Sequence, residues 1–407
     1  MSLRLHVAAL LIAVTAALLA AGAAGGGPAA SHPLAPKLSR ALAVPGVGRA
    51  TRAALAVDLA TGEVLFKRHS TLALEPASNQ KLPITLAALE VLGGAFRMHT
   101  DVLGEGGQSG KVWRGDLVLK GSGDPTLSSK SLKRLAWLVR GAGIRRVTGS
   151  ILGDESYFDS KRGVWGWKSY FSGGESPPLS ALSVDRGIYG GRLAIRPAVA
   201  AAALFRRALI SAGVAVGGRS TQGRASKAAV PLAYVTSPPL WKILRFMDVW
   251  SDNFTAELML KQLGASEGHG TSPGGAAVVR RILAQHQVPL AGVRIVDGSG
   301  LSVRDRLTVG ALVAMLQAAW SDPAIRKPFQ TVLAVAGRSG TLRHRLRAAS
   351  TRGRVFAKTG TTNEASALSG YVKGRYAFAI IHNGNPLASW YAKQAEDRFV
   401  TVLATAK

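Results

Sequence analysis

Helical and strand periodicities alternate along this chain, and that alternation limits its fold more than any other feature of the sequence. Residues 52–59 and 63–67 read as strands joined through Thr61-Gly62, which predicts a hairpin. A helical pattern follows over 78–92. From 97 to about 230 the chain is richer in glycine, serine and short strand-like runs such as 116–120 and 145–152, with helical pieces at 131–141 and 198–212, and it reads as an insertion. Helical periodicity returns at 240–249 and 254–263. Strands at 354–358, 367–373 and 375–382 follow, and an amphipathic helix over 387–404 closes the chain. There is no internal repeat.

A chain of 407 residues with 47% hydrophobic side chains can bury a full core, and 18% charged residues is not the composition of a disordered tail. The length predicts two or three domains. The absence of cysteine removes disulfide frameworks, cysteine nucleophiles, thiolate zinc sites and lipid-modified cysteine anchors, without deciding the compartment. The first residues speak to that. Arg4 precedes an apolar run over 7–21, and Ala21-Gly22-Ala23 fits a signal-peptidase site. An export signal over 1–23 and a flexible leader over 24–35 are expected, with an uncut N-terminal membrane anchor as the alternative. No second span is expected, because the apolar stretch 198–210 is short and broken by Arg206 and Arg207.

The formal net charge is +28, spread along the chain rather than gathered in a tail. Between Asp322 and Glu364 every charged residue is Lys or Arg. No helix-turn-helix or aromatic RNA-binding pattern accompanies this charge, and an exported chain rarely meets nucleic acid, so no nucleic-acid partner is expected. Anionic cell-wall polymers and lipid headgroups are the natural counter-charges outside the membrane, and a solvated, arginine-rich surface without a partner is the alternative.

Serine nucleophiles need a base within hydrogen-bond reach, and residues three apart on a helix share a face, so Ser78 and Lys81 make a self-contained acylation pair. At a helix start, unpaired backbone N–H groups near Ser78 would also stabilise an oxyanion. Pro83 is tolerated only within the first helical turn and fixes the register. Taken alone, Ser-x-x-Lys is better explained by a capping serine beside an exposed lysine. Combination decides: Ser78-x-x-Lys81, Ser251-Asp252-Asn253 and Lys358-Thr359-Gly360 each occur once, in that order.

These three boxes are the signatures of penicillin-binding proteins and class A β-lactamases. From about Arg52 to the C-terminus the chain resembles the D-alanyl-D-alanine carboxypeptidase/endopeptidase family, the low-molecular-mass class C penicillin-binding proteins. The runs 121–127, 153–159, Asp297-Gly298-Ser299-Gly300-Leu301-Ser302 and Ser339-Gly340-Thr341-Leu342 look like that family's secondary landmarks. The resemblance implies an α+β, penicillin-binding/β-lactamase-like fold: an antiparallel sheet flanked by helices, an all-helical part carrying Ser251, and an inserted α+β segment. The peptidase domain is expected over 36–96 and 231–407, and the inserted accessory domain over 97–230. That insertion is shorter than the family's usual one, which leaves open the substrate contacts the family assigns there. Asp124, in an Asp-Pro turn, is expected to be structural rather than a contact for a basic peptide group.

The resemblance also implies roles. Ser78 attacks the carbonyl between two D-alanines and Lys81, held neutral by burial and by the neighbouring Lys358, takes its proton. Ser251 relays a proton to the leaving amine and Asn253 binds the substrate backbone. Lys358, Thr359 and Thr361 bind the terminal carboxylate. The backbone N–H groups of Ser78 and Thr361 form the oxyanion hole, and Gly360 leaves room for substrate along its strand. The implied substrates are peptidoglycan stem peptides, with β-lactams as covalent inhibitors, no metal or organic cofactor, and action in the periplasmic or extracytoplasmic wall space. Opening of cross-links as well as trimming of stem peptides depends on the cleft outside the three boxes.

A β-lactamase is the lesser alternative, since the chain has no asparagine between Asn253 and Asn363 to accompany a deacylating glutamate. The scattered histidines argue against a zinc peptidase. A non-catalytic, basic wall-binding protein on the same fold is the alternative from another class.

Overall fold

The computed structural model describes residues 32–46, 48 and 50–406, so the expected signal over 1–23 and most of the leader over 24–35 lie outside the described residues. The leader's expected end is already structured, because Ala35 opens the helix Ala35–Leu42. His32–Lys407 form one compact unit.

A six-stranded antiparallel sheet runs in the order Ala334–Val335, Val355–Thr361, Ala365–Val372, Tyr376–Asn383, Thr51–Asp58, Val64–Arg68. Its inner strands Thr51–Asp58 and Tyr376–Asn383 are apolar on both faces. On Thr51–Asp58, Ala53, Leu55 and Val57 face one core while Ala54 and Ala56 face another; on Tyr376–Asn383, Ala377, Ala379 and Ile381 alternate with Tyr376, Phe378 and Ile380 in the same way. This two-residue period matches the pleat, so each face must be covered by helices. Ala35–Leu42 and Ser389–Thr405 cover one face through Leu38, Leu42, Phe399, Val400 and Leu403.

The other face meets an all-helical part built from Lys81–Val91, Leu240–Trp250, Asn253–Ala265, Ser272–Gln285, Val309–Ser321 and Pro323–Val332. The last three helices are not delimited from periodicity; Val309–Ser321 is apolar around much of its circumference, whereas Ser272–Gln285 and Pro323–Val332 bury one face only. Their start signals are nevertheless present: Thr271, Thr308 and Asp322 each accept a backbone N–H of the first turn through their side-chain oxygen.

Between the first two boxes lies a second sheet in the order Ser220–Gln222, Ile151–Asp154, Val112–Gly121, His99–Ser109, Val230–Thr236, with its own apolar cluster formed by Ser129–Gly141 and Pro197–Ser211. The strand His99–Ser109 is hidden in the sequence by its glycines. Gly104 is required because a Cβ there would sit 2.2 Å from the Trp113 ring. The whole is α+β, as the boxes imply.

Candidate active site

The chain enters the site through a tight turn: Ala77 has φ 44, the short 3₁₀ helix Ala77–Gln80 carries Ser78, and Lys81–Val91 continues as α-helix. Pro83 therefore falls in the first α-turn, where its missing N–H costs nothing. Two side chains of the turn anchor it: Asn79 Nδ2 donates to the Lys358 carbonyl at 3.2 Å, and Gln80 Nε2 donates to the Asp297 carbonyl at 3.3 Å.

Lys81 is fully buried, and its Nζ donates to Ser78 Oγ at 3.0 Å, Asn253 Oδ1 at 2.9 Å and the Ser299 carbonyl at 2.7 Å. Burial pulls its pKa down to about 8; the carboxylates of Asp297, Glu257, Asp248 and Asp252 oppose that fall.

Ser251 sits between Leu240–Trp250 and Asn253–Ala265 in a left-handed conformation, φ 60 and ψ 38. Asp252 caps the second helix by accepting the Thr255 N–H at 2.8 Å, and Arg186 of the inserted segment grips both its oxygens at 3.2 and 2.7 Å. Lys358, equally buried, donates to Ser251 Oγ at 2.7 Å and to the Thr359 carbonyl at 2.8 Å. Burial and the nearby Lys81 charge push its pKa well below the usual lysine value. Asp248, one turn before Ser251, is buried, accepts from Thr85 Oγ1 at 2.6 Å and is pushed up to about 7 by burial against the pull of Lys358.

The Asp297–Ser302 run supplies the Ser299 carbonyl to Lys81. Glu257 accepts the Ser299 N–H at 2.8 Å, and Asp297 accepts the Gly300 and Ser302 N–H groups at 2.6 and 2.8 Å and Trp167 Nε1–H at 2.8 Å. Gly300 has φ 82, and a Cβ there would lie 1.9 Å from the Ala77 carbonyl oxygen.

Gly360 serves a purpose other than the one expected. Its Cβ would point at Pro76 O, Ser78 N and Ala77 Cβ, 2.9 to 3.1 Å away, so the missing side chain admits the nucleophile's own turn rather than the substrate. The strand Ala334–Val335 reaches only Phe356 and Ala357 of Val355–Thr361, so the edge from Lys358 to Thr361 has no strand beside it. Thr359 is nearly buried and its hydroxyl donates to Thr341 Oγ1 at 2.8 Å.

Ser78, Ser251, Asn253 and Thr361 line a cleft of about 640 Å³; Lys81, Lys358, Thr359 and Gly360 stand behind its wall. Sequence reasoning missed the opposite wall: Tyr170, Phe171 and Glu175 from the inserted segment, Asn363 and Glu364, and the turn Asn385-Pro386-Leu387. Lys168 bridges to Glu364 at 2.6 Å, and Asn253 Nδ2 donates to the Glu175 carbonyl at 3.2 Å. Asp124 is nearly buried and turns its carboxylate onto the Thr126 N–H and hydroxyl, as a turn residue does. A larger hollow, about 930 Å³, between Ser129–Gly141 and Val230–Thr236 holds no nucleophile–base pair. Among the described residues no group of His, Asp or Glu converges as a metal site, and no helix is long and apolar enough to cross a membrane.

A serine hydroxyl held by a buried lysine, at the edge of an antiparallel sheet and facing a helical part, defines a serine–lysine hydrolase of the penicillin-binding class. Residues 34–195 and 191–406 match the D-Ala-D-Ala carboxypeptidase 3 (S13) family. A D-alanyl-D-alanine carboxypeptidase of Actinomadura sp. (strain R39) is 32% identical over 84% of this chain and 79% of its own length. A carboxypeptidase of Mycobacterium tuberculosis is 32% identical over 87% of this chain and 81% of its own length. The crystal structure of penicillin binding protein 4 from Haemophilus influenzae superposes with a TM-score of 0.79 at 19% identity, over 89% of this chain and 97% of that one, and supports the fold. The chain belongs to the D-Ala-D-Ala carboxypeptidase 3 (S13) family of serine-type hydrolases.

Proposed function

We propose that the protein removes the terminal D-alanine of peptidoglycan stem peptides through an acyl-enzyme on Ser78. The observation that carries the assignment to Ser78 is the 3.0 Å contact from Lys81 Nζ, whose pKa is lowered to about 8. A neutral Lys81 amine accepts the Ser78 proton as Oγ bonds to the scissile carbonyl carbon, while the carbonyl oxygen takes the negative charge and points at the Ser78 and Thr361 N–H groups. Collapse of the tetrahedral adduct breaks the C–N bond. The departing D-alanine amine takes its proton from Ser251, which Lys358 resupplies. Lys358 regains its proton as Lys81 gives up the one it took from Ser78, so both amines return to their starting state. Water then attacks the ester, neutral Lys81 takes the water's proton, and that proton passes to Ser78 Oγ as the ester C–O bond breaks.

Asn253 binds the stem-peptide backbone by exchanging its contact with the Glu175 carbonyl for one with substrate. Lys358 and Thr361 draw the terminal carboxylate to the open strand edge, and Thr359 joins them by releasing Thr341. β-Lactams acylate Ser78 by the same first step. The 97–230 segment acts as an accessory domain whose 170–175 stretch bounds the cleft and sets how far cross-linked peptides enter. Export by the N-terminal signal and action in the extracytoplasmic wall space suit both substrate and charge, with the basic surface drawn to anionic wall polymers or headgroups.

Mass spectrometry of a defined pentapeptide and a D-alanyl cross-linked dimer tests the activity. Free D-alanine from the pentapeptide is expected, and its absence from a protein that still labels with fluorescent penicillin would refute the carboxypeptidase assignment.

A further inference from the structure

The hairpin excursion between Ala334–Val335 and Val355–Thr361 folds into a hollow of about 580 Å³ lined by Gly337, Arg338, Arg343, His344, Arg347 and Arg352. The excursion is rigid by its own hydrogen bonds. Gly337 N–H donates to the Leu342 and Arg345 carbonyls at 2.9 and 3.0 Å, Gly353 N–H donates to Ala336 O at 2.9 Å, and Thr351 Oγ1 donates to Leu346 O at 2.8 Å.

Its arginines divide into two kinds. Arg345 points inward and is neutralised by Glu396 at 2.8 Å and Asp397 at 2.7 Å. Arg338, Arg343, Arg347 and Arg352 are exposed and form no salt bridge among the described residues, and no acid occurs in the chain between Asp322 and Glu364. Two of them are seated by glycines: the Arg338 guanidinium lies where a Gly353 Cβ would be, 2.5 to 2.7 Å from it, and the Arg352 stem lies 2.9 Å from a Gly337 Cβ position. Like charges crowded around one hollow repel unless an anion enters, and seated guanidinium forks are prepared for bidentate contact with phosphate oxygens.

We propose that this hollow is a binding site for a phosphodiester polyanion, separate from the catalytic cleft, that holds the enzyme to an anionic wall polymer. It narrows the partner reading above to one place on the surface. A threadlike polymer fits better than a membrane, because the site is concave and no large apolar side chain is exposed between 336 and 354 to enter a bilayer.

Titration calorimetry of the full chain with a soluble glycerol-phosphate oligomer tests it. Three proteins are compared: wild type; R338Q/R343Q/R347Q/R352Q; and R114Q/R192Q/R219Q/R224Q, which loses the same charge from exposed arginines of the inserted segment. The double variant R343Q/R347Q, which spares the two glycine-seated arginines, guards against misfolding, and penicillin labelling reports an intact active site in each. The hollow variant is expected to bind about tenfold or more weakly, the double variant in between, and the control within about twofold of wild type, with affinity falling as salt rises. Equal weakening by hollow and control variants would overturn the site while leaving a diffuse polyanion attraction. Binding by wild type to phosphatidylglycerol vesicles but not to the oligomer would overturn the polymer in favour of a membrane. No binding to either would refute both the site and the wider partner reading.

Discussion

Lys358 Nζ donates to Ser251 Oγ at 2.7 Å while Lys81 Nζ donates to Ser78 Oγ at 3.0 Å, so each serine of the cleft has its own buried amine. In the proposed reaction this division separates the two proton transfers of acylation: one amine receives the nucleophile's proton, and the other backs the hydroxyl that protonates the leaving group.

Acylation requires neutral Lys81, whose pKa is lowered to about 8. The second-order rate of labelling by fluorescent penicillin is expected to rise with pH through about 8 and then level. Asp248 raises the Lys81 pKa, so Asp248→Asn should move the rising limb to lower pH. Lys81→Met should cut the rate by about 10²–10⁴. A profile flat between pH 6 and 9 would remove Lys81 from the role of base.

Ser251 occupies left-handed backbone, where glycine is at ease. Ser251→Gly is therefore expected to keep or raise the Tm while lowering hydrolysis of a pentapeptide by about 10² or more. Steady-state kinetics beside a thermal melt make the comparison, and full activity in the glycine variant would show that the hydroxyl relays nothing.

Gly360→Ala drives a methyl into Pro76 O and Ser78 N. We expect a loss of about 1–3 kcal/mol by denaturant unfolding, together with strongly reduced penicillin labelling, since the displaced atoms carry the nucleophile. Unchanged labelling would mean that the strand and the serine turn do not need this close approach.

The Arg186–Asp252 pair joins the inserted segment to the second box, but Arg186 is more than a third exposed. Arg186→Ala should cost less than about 1 kcal/mol. Asp252→Ala also loses the helix cap and should cost about 1 kcal/mol more. Paired unfolding curves measure both.

The reacting groups were legible in the sequence because each box is short and contiguous: Ser78 and Lys81 share one turn, and Lys358-Thr359-Gly360 share one strand. The strands at both ends of the chain and the closing helix were legible for the same local reason. The action of Asp248, Glu257 and Asp297 on Lys81 was not, even though Asp297 opens one of the landmark runs, because it exists only once helices and loop close around the lysine. Nor was the wall formed by Tyr170, Phe171 and Glu175, which lies far from the boxes in sequence and meets Asn253 only through the fold. Gly360 was assigned the right freedom for the wrong neighbour, since a strand pattern cannot say which turn packs against it.

Lys81 takes its acceptors from the nucleophile's own turn, from the helix Asn253–Ala265 and from the Ser299 carbonyl, segments far apart in the chain that meet only when the helical part has closed around them. Covalent tagging of Ser78 thus doubles as a clock for assembly. In a refolding time course the tagged fraction should lag behind recovery of helical circular dichroism.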